Sequence, residues 1–208
     1  STIISVDQLV KHYGNFQAVK GITFEVYEGE IFGLLGPNGA GKSTTLEIIE
    51  TLRTKTSGHV KVGGYDLDSQ PGEIKKIIGV QLQSSGYYPN LNLTELIRLF
   101  CGLYNRDMDP IVLLDQVNLR DKAKAKFREL SGGQKQRFSV ATTLINEPLI
   151  IFLDEPTTGL DPINIRRINT LILSLQQRLG VTSLVVTHDM DTVFTITNRL
   201  AIPVGYMG

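Results

Sequence analysis

Apolar residues recur along this chain in two rhythms that take turns. IISVDQLV (3–10) and GITFEVY (21–27) have strand character, with Gly14 and Asn15 in a turn between them. IFGLLG (31–36) is short and nearly all apolar, as a strand of a buried parallel sheet is, and LIIFLD (149–154) and TSLVVT (182–187) are further strands. Helical segments follow or precede them. One runs from Lys42 to about Leu52, one lies near 72–77, one extends from Asp161–Pro162 to about Leu179, and one starts at Asp189. HVKVGGYDL (59–67) returns to strand, broken by Gly63 and Gly64, and IIGVQL (77–82) is a further strand. Strand and helix alternation predicts a mainly parallel α/β sheet with helices on both faces and an antiparallel portion near the N-terminus.

Residues 91–127 break this alternation. LTELIRLFCGLY is helical by period, and Asp109–Pro110 is a good N-cap and first-turn pair for a helix over IVLLDQV. Lys122, Lys124, Lys126 and Arg128 form a short basic stretch, read as a solvated face or linker. The expected division is an α/β core of residues 1–84 and 149–208, with residues 85–148, approximately, as an inserted helical subdomain. RLAIPVGYMG begins a strand and stops.

Bulk composition narrows the classes. At 208 residues, 41% apolar and 20% charged, the chain can bury the core of one large domain. Its formal charge is zero, which argues against a broad basic surface for nucleic acid. The lone cysteine, Cys101, excludes an internal disulfide and, set in LIRLFCGLY, reads as a core thiol. No apolar run approaches the ~18 residues that cross a bilayer. A role at a membrane therefore needs another polypeptide to supply the spans.

The chemistry begins at GPNGAGKST (36–44), a phosphate-binding loop pattern between an apolar strand and a helix. Gly36, Gly39 and Gly41 let the backbone bend so that successive N–H groups meet one phosphate chain; Pro37, Asn38 and Ala40 complete the loop. Lys42 adds a charge for the β- and γ-phosphates, the Ser43 hydroxyl can ligate Mg²⁺, and Thr44 can bond the α-phosphate. LIIFLDE ends a buried strand in two carboxylates. Asp154 suits Mg²⁺ held through water, and Glu155, projecting differently, suits a general base for an attacking water. A second grip for anions stands at LSGGQKQR (130–137), where serine and two glycines open a helix.

GPNGAGKST, LSGGQKQR, LIIFLDEPTTGLDP and VVTHD, in that order, resemble the nucleotide-binding ATPase subunit of ABC transporters, and the resemblance covers essentially the whole chain. It implies a P-loop ATPase fold, ATP and Mg²⁺ as cofactors, a head-to-tail dimer with a second ATPase subunit, a transmembrane permease partner, and a peripheral position at the cytoplasmic face of the membrane. Two equal sites in a homodimer fit the intact motif set. In such a dimer Ser131, Gly132, Gly133 and Gln134 hold the partner's γ-phosphate, not a nucleotide of their own chain.

Other roles follow from the same resemblance. Tyr13, in KHYGNFQAVKGITF, matches the aromatic that stacks on adenine. Gln83, in GVQLQSSGYYPNL, matches the glutamine that contacts Mg²⁺ or the attacking water and links to the membrane partner; Gln81 is a nearby competitor. Asp161, in TTGLDP, matches the loop that crosses the dimer interface, and before Pro162 it is also an ideal helix cap. His188, after TSLVVT, matches the histidine that senses the γ-phosphate. GYYPNL (86–91) offers aromatic residues where the membrane partner would dock.

Two features depart from the family pattern. IPVGYMG does not resemble the strands with which family members usually continue, so a truncated or altered end is expected. IIGVQLQSSGYYPNLNLTELIRLFCGLY resembles ATPases of drug and polysaccharide export, whereas INTLILSLQQRLGVTSLVVTHDMDTVFTITNRLAI is closer to those of lipid-trafficking, solvent-tolerance systems. Soluble relatives that act in DNA repair separate the lysine loop from LSGGQ by a long coiled coil. Here Lys42 and Ser131 are 89 positions apart, without sustained heptads. Ribosome-acting relatives usually carry two ATPase units, and this chain has one motif set. An unrelated kinase or GTPase leaves LSGGQ unexplained.

Overall fold

The computed structural model describes residues 1–81 and 86–202. Strands β1 (Thr2–Tyr13) and β2 (Phe16–Tyr27) form an antiparallel hairpin closed at Gly14 and Asn15. Alternation along β1 buries Ile4, Val6 and Leu9, and the register shifts near Gln8, whose φ is 47°. Two-versus-one mismatches of this kind bend and twist a strand. β4 (Ser57–Val62) pairs with the other edge of β1, and β5 (Tyr65–Asp66) returns after Gly63 and Gly64, giving the order β2-β1-β4-β5.

The second sheet is parallel throughout. β3 (Ile31–Leu35), β6 (Ile78–Val80), β7 (Ile150–Asp154), β8 (Thr182–Thr187) and β9 (Arg199–Ala201) lie in the order β6-β7-β8-β3-β9. β3 and β8 are buried along their whole length, which is why their sequences show no polar alternation.

Helix α1 (Lys42–Ile49) lies between the sheets. Its Leu46, Ile48 and Ile49 pack into one core cluster with Val6 and Leu9 of the first sheet and Phe32 and Ile150 of the second. Phe24 stacks on Phe32 at 5.3 Å, joining the two sheets directly. α1 stops short of the expected Leu52. Thr51 turns to a φ of 65°, and the Leu52 and Arg53 amides both donate to the Glu47 carbonyl.

The opposite face of the parallel sheet carries a second cluster. α3 (Leu93–Tyr104), α4 (Pro110–Gln116), α5 (Gly132–Thr143) and α6 (Pro162–Leu179) supply Leu96, Leu113, Phe138 and Ile172 to it, with Cys101 buried as expected. α2 (Pro71–Ile77) leads into β6, which begins one residue later than IIGVQL suggested because Ile77 closes the helix, and α7 (Met190–Ile196) follows β8. The basic stretch folds into two 3₁₀ turns, Arg120–Lys122 and Phe127–Glu129, rather than a helix face. Asp109 caps α4 through the Ile111 amide, with Pro110 in the first turn as expected.

Tyr87 anchors this half. Its ring meets Phe100, Phe127 and Phe138 at 4.7–5.8 Å, and its hydroxyl lies 2.7 Å from Thr142 Oγ1. Thr142 Oγ1 donates to the Ser139 carbonyl, so the phenol is the donor of the pair. Tyr87→Phe therefore removes one buried hydrogen bond and strands only an acceptor lone pair. We expect a loss of about 1 kcal/mol, read as a lower midpoint in urea unfolding at unchanged m-value.

Candidate functional site

The carboxyl ends of β3, β7 and β8 are neighbours, and the candidate chemistry collects there. After β3 the chain turns through residues 36–41 and enters α1. Gly41 is the N-cap of α1 with φ 79° and ψ 10°, and it offers no side-chain cap. A Cβ at Gly41 would stand 2.2 Å from the Ala18 carbonyl oxygen of β2, so the left-handed turn and the close packing both demand glycine. The first N–H groups of α1 are left without a side-chain acceptor, the condition that favours a bound phosphate.

Lys42 is 5% exposed, and its Nζ donates to the Gly36 and Pro37 carbonyls at 2.6 and 2.9 Å. It also lies 4.0 Å from Glu155 Oε1. The loop thus holds the ammonium above itself, facing the acids of the neighbouring strands. A pocket of about 290 Å³ lies over the loop. Asn38, Gly39, Lys42, Thr44 and Glu155 line its polar side, and Tyr13, Phe16 and Ala18 of the hairpin line its other wall.

Tyr13 is exposed there, with Lys11 Nζ 5.1 Å from its ring centre. Phe16, its direct partner across the hairpin, was missed in the sequence. An aromatic just past the Gly14–Asn15 turn, where strand ends usually turn polar, was the available signal.

Asp154 ends β7. Burial raises its carboxyl above the usual range, the Ser43 hydroxyl pulls it down, and the charges of Glu155 and Lys42 oppose one another. Its Oδ1 is buried with no hydrogen-bond partner among the described residues. An orphaned carboxylate oxygen beside a serine hydroxyl fits a hard divalent cation. Mg²⁺ commonly takes few protein ligands and fills its shell with water and phosphate oxygens. No group of three or more His, Cys, Asp or Glu able to hold a metal occurs among the described residues. Glu50, buried at the end of α1, is pushed up to about 8 by burial, then by the charges of Asp154 and Glu47. It adds little negative charge to this corner at neutral pH.

Glu155 departs from the strand. Its amide still donates to the Val186 carbonyl at 2.8 Å, but its φ is 49°, a left-handed conformation that costs a non-glycine residue about 1–3 kcal/mol. The turn swings its carboxylate over β8. Oε2 there accepts from Thr158 Oγ1 at 3.0 Å and Thr187 Oγ1 at 3.1 Å, and His188 Nδ1 lies 2.9 Å from both oxygens. With a carboxylate as partner, Nδ1 is the donor. The sequence named Glu155 and His188 separately; the structure makes them a dyad and adds Thr158 and Thr187, which orient the carboxylate.

The LSGGQ segment is elsewhere. Ser131 caps α5 by accepting from the Gln134 amide at 3.3 Å, and Gln134 Oε1 accepts from the Ser131 amide at 2.9 Å. None of residues 131–134 lines the phosphate-loop pocket. A Cβ at Gly133 would meet Asn164 Oδ1 at 2.4 Å, so close packing against α6 accounts for that glycine. At Gly132 the nearest obstacle is Leu160 at 3.8 Å, and packing within the chain gives no reason for a glycine there.

Asp161 caps α6 through the Ile163 and Asn164 amides at 3.0 and 3.1 Å, and its bond with the Asn164 side chain holds its carboxyl low. Gln83 lies outside the described residues. Gln81, its competitor, donates through Nε2 to Ser139 Oγ and faces the helical half. Of the two aromatics in GYYPNL, Tyr87 is core and Tyr88 is exposed.

Known proteins share these features. The sequence pattern described as ABC transporter matches residues 19–158. The chain is 40% identical to the probable multidrug ABC transporter ATP-binding protein YbhF of Escherichia coli over 91% of its length, and spans 34% of that protein. It is 34% identical to the linearmycin resistance ATP-binding protein LnrL of Bacillus subtilis, covering 96% of this chain and 66% of that one. It is 33% identical to the lipoprotein-releasing system ATP-binding protein LolD of Bacteroides fragilis, covering 95% of both. The chain therefore spans between a third and two thirds of some curated relatives and nearly all of another.

Among solved structures, a dimeric bacterial ABC transporter cassette superposes with a TM-score of 0.83 at 31% identity, covering 96% of this chain and 94% of that one. A post-hydrolysis cassette bound to ADP and Pi gives 0.82 at 29% identity, with the same coverage. Phosphate loop, paired acids, strand-end histidine and separate glycine-led helix thus sit on a shared architecture, and the chain belongs to the ABC transporter family.

Proposed function

We propose that this chain binds Mg-ATP, closes head to tail on a second copy around two nucleotides, and hydrolyses ATP to drive transport by a membrane-embedded partner at the cytoplasmic face of the membrane. The observation that carries this reading is the meeting of Lys42, Asp154, Glu155 and His188 at the carboxyl ends of three adjacent parallel strands, where ligands of open α/β sheets bind.

Each residue then has a task. The open N–H groups of α1 and the Lys42 ammonium receive the phosphates, residues 36–44 wrap them, and the Tyr13 and Phe16 wall takes the base by stacking. Ser43 and Asp154 would hold Mg²⁺, whose charge would offset that of the phosphates. Glu155 accepts a proton from the attacking water as the water oxygen bonds to the terminal phosphorus. The bridging P–O bond breaks and ADP departs with its electron pair. His188, tied to Glu155 through Nδ1–H, turns Nε2 to the terminal phosphate, to which it donates as the imidazolium. Gln83 serves the metal and the link to the membrane partner. Among the described residues no helix is long and apolar enough to cross a membrane.

The second copy is supported by what one chain lacks. A pocket of about 290 Å³ is at the lower limit for a small-molecule site. Ser131, Gly132, Gly133 and Gln134 lie outside it, and Gly132 is open to approach by another molecule. We infer that they grip the nucleotide of the partner, that Asp161 borders the same interface while capping its helix, and that residues 85–148 act as a helical subdomain facing the permease. The names of the relatives favour an export or release system.

The test is concentration dependence. Mg-ATP turnover per enzyme is expected to rise with enzyme concentration and then level off, and to cease on chelation with EDTA. A turnover per enzyme that stays constant down to extreme dilution would overturn the two-copy mechanism, and activity without divalent metal would overturn the role given to Asp154.

A further inference from the structure

α6, the longest helix among the described residues, carries Arg166, Arg167 and Arg178 and no acidic residue. Exposed helices ordinarily place acids three or four positions from bases, because such pairs add stability. Arg167 and Arg178 are three turns apart and share a face, with Thr170 and Ser174 near the same stripe. These small side chains leave a groove of about 740 Å³ against the end of α4.

Arg137 of α5 completes the groove. Its Nε is buried without a partner among the described residues. Burial, and then the charge of Arg167, hold its guanidinium below its usual range against a smaller pull from Asp121. The arginine ion pairs found among the described residues use Arg53, Arg106, Arg120 and Arg199 instead. The acid on the wall, Asp115, faces Arg120 at 4.0 Å. On a chain of zero net charge, four arginines thus converge on one concavity with little compensation. Arg137 is partly withdrawn from water, and a guanidinium so placed beside three exposed arginines is costly unless an anion joins them.

We propose that this groove binds a small, multiply charged phosphate compound from solution, distinct from the nucleotide at the phosphate loop. Planar guanidinium forks match pairs of phosphate oxygens, and several of them suit a ligand with more charge than a single carboxylate. The recess favours a compact solute over the flat face of a bilayer. The site joins α5, which opens with Ser131, to α6, which opens with Asp161, so its ligand ties together the two helices that we assign to the partner-facing surface.

The probe is inorganic pyrophosphate, titrated calorimetrically into the whole chain with ADP already saturating the phosphate loop. We expect saturable binding that weakens at least about tenfold in Arg167→Gln/Arg178→Gln and is unchanged in Arg98→Gln, an exposed arginine on α3. Circular dichroism melting checks that the variants fold; both changed arginines are exposed, and a folded double variant is expected. No binding, equal binding by all three proteins, or equal competition by sulfate at matched ionic strength would each overturn the proposal. So would arginine-dependent binding to hexaglutamate or to phosphatidylglycerol vesicles in the absence of pyrophosphate binding, since that outcome assigns the groove to an acidic peptide or to a membrane.

Discussion

Glu155→Gln is expected to lower ATP turnover by about 10²- to 10⁴-fold while ATP binding persists, because the amide cannot take the proton that leaves the attacking water. The substitution is close in shape to the original. Thr158 and Thr187 can still donate to the remaining carbonyl oxygen, so the side chain should keep its position over β8. The backbone strain at φ 49° is the same for either residue. Lys42, 4.0 Å away, loses a negative neighbour, which favours the bound triphosphate. ATP then stays intact between two copies that cannot release each other, and size-exclusion chromatography with Mg-ATP should show a dimer that the unmodified chain forms only in passing. Two readings are needed together: kcat from phosphate release and the elution volume. A slow variant that never dimerises would separate the chemistry from the assembly and remove the second copy from the mechanism. A variant with unchanged turnover would remove Glu155 as the base.

Ser131→Arg is expected to abolish most ATP hydrolysis without weakening ATP binding by the isolated chain. Ser131 does not touch the phosphate-loop pocket, so an effect on turnover must pass through another molecule. Two consequences of the change need separating. The α5 cap formed with Gln134 is lost, which costs about 1 kcal/mol of stability, and a long side chain is added where a terminal phosphate would approach. Ser131→Ala removes the cap and the hydroxyl without adding bulk. If both variants lose turnover equally and melt at the same lowered temperature, the loss follows the cap and hydroxyl and not an obstacle between copies. If the arginine variant alone is inactive while its melting matches that of the alanine variant, the block lies at a surface between copies. Full activity in the arginine variant would contradict the cross-chain grip.

The elements that position this site were legible where local chemistry decides them. β3 and β8 announced themselves because full burial leaves no reason for polar alternation, and Asp109–Pro110 and Asp161–Pro162 marked helix starts because a carboxylate and a missing N–H both suit a first turn. The phosphate loop was legible because its spacing has little other use. What escaped depends on partners far away in the chain. Nothing around Glu155 in the sequence indicates that it leaves the strand in a left-handed turn, since the Val186 carbonyl, Thr187 and His188 that hold it arrive with β8. Phe16 was unremarkable until the hairpin register set it against Tyr13. The four arginines of the α6 groove include one from α5, and only the packing of those helices brings them together.

The contact of Gly41 with the Ala18 carbonyl has a mechanical meaning. At that point the peripheral ribbon rests on the pivot of the glycine-rich turn with no slack between them. The arm that carries the two aromatic rings is therefore packed directly against the seat for the phosphates. Small changes deep in the ribbon, such as a bulkier residue at Ala18 or a straightened bulge at Gln8, should detune nucleotide capture from a distance, and they would be mistaken for defects in surface residues if only the solvent-facing side chains were considered.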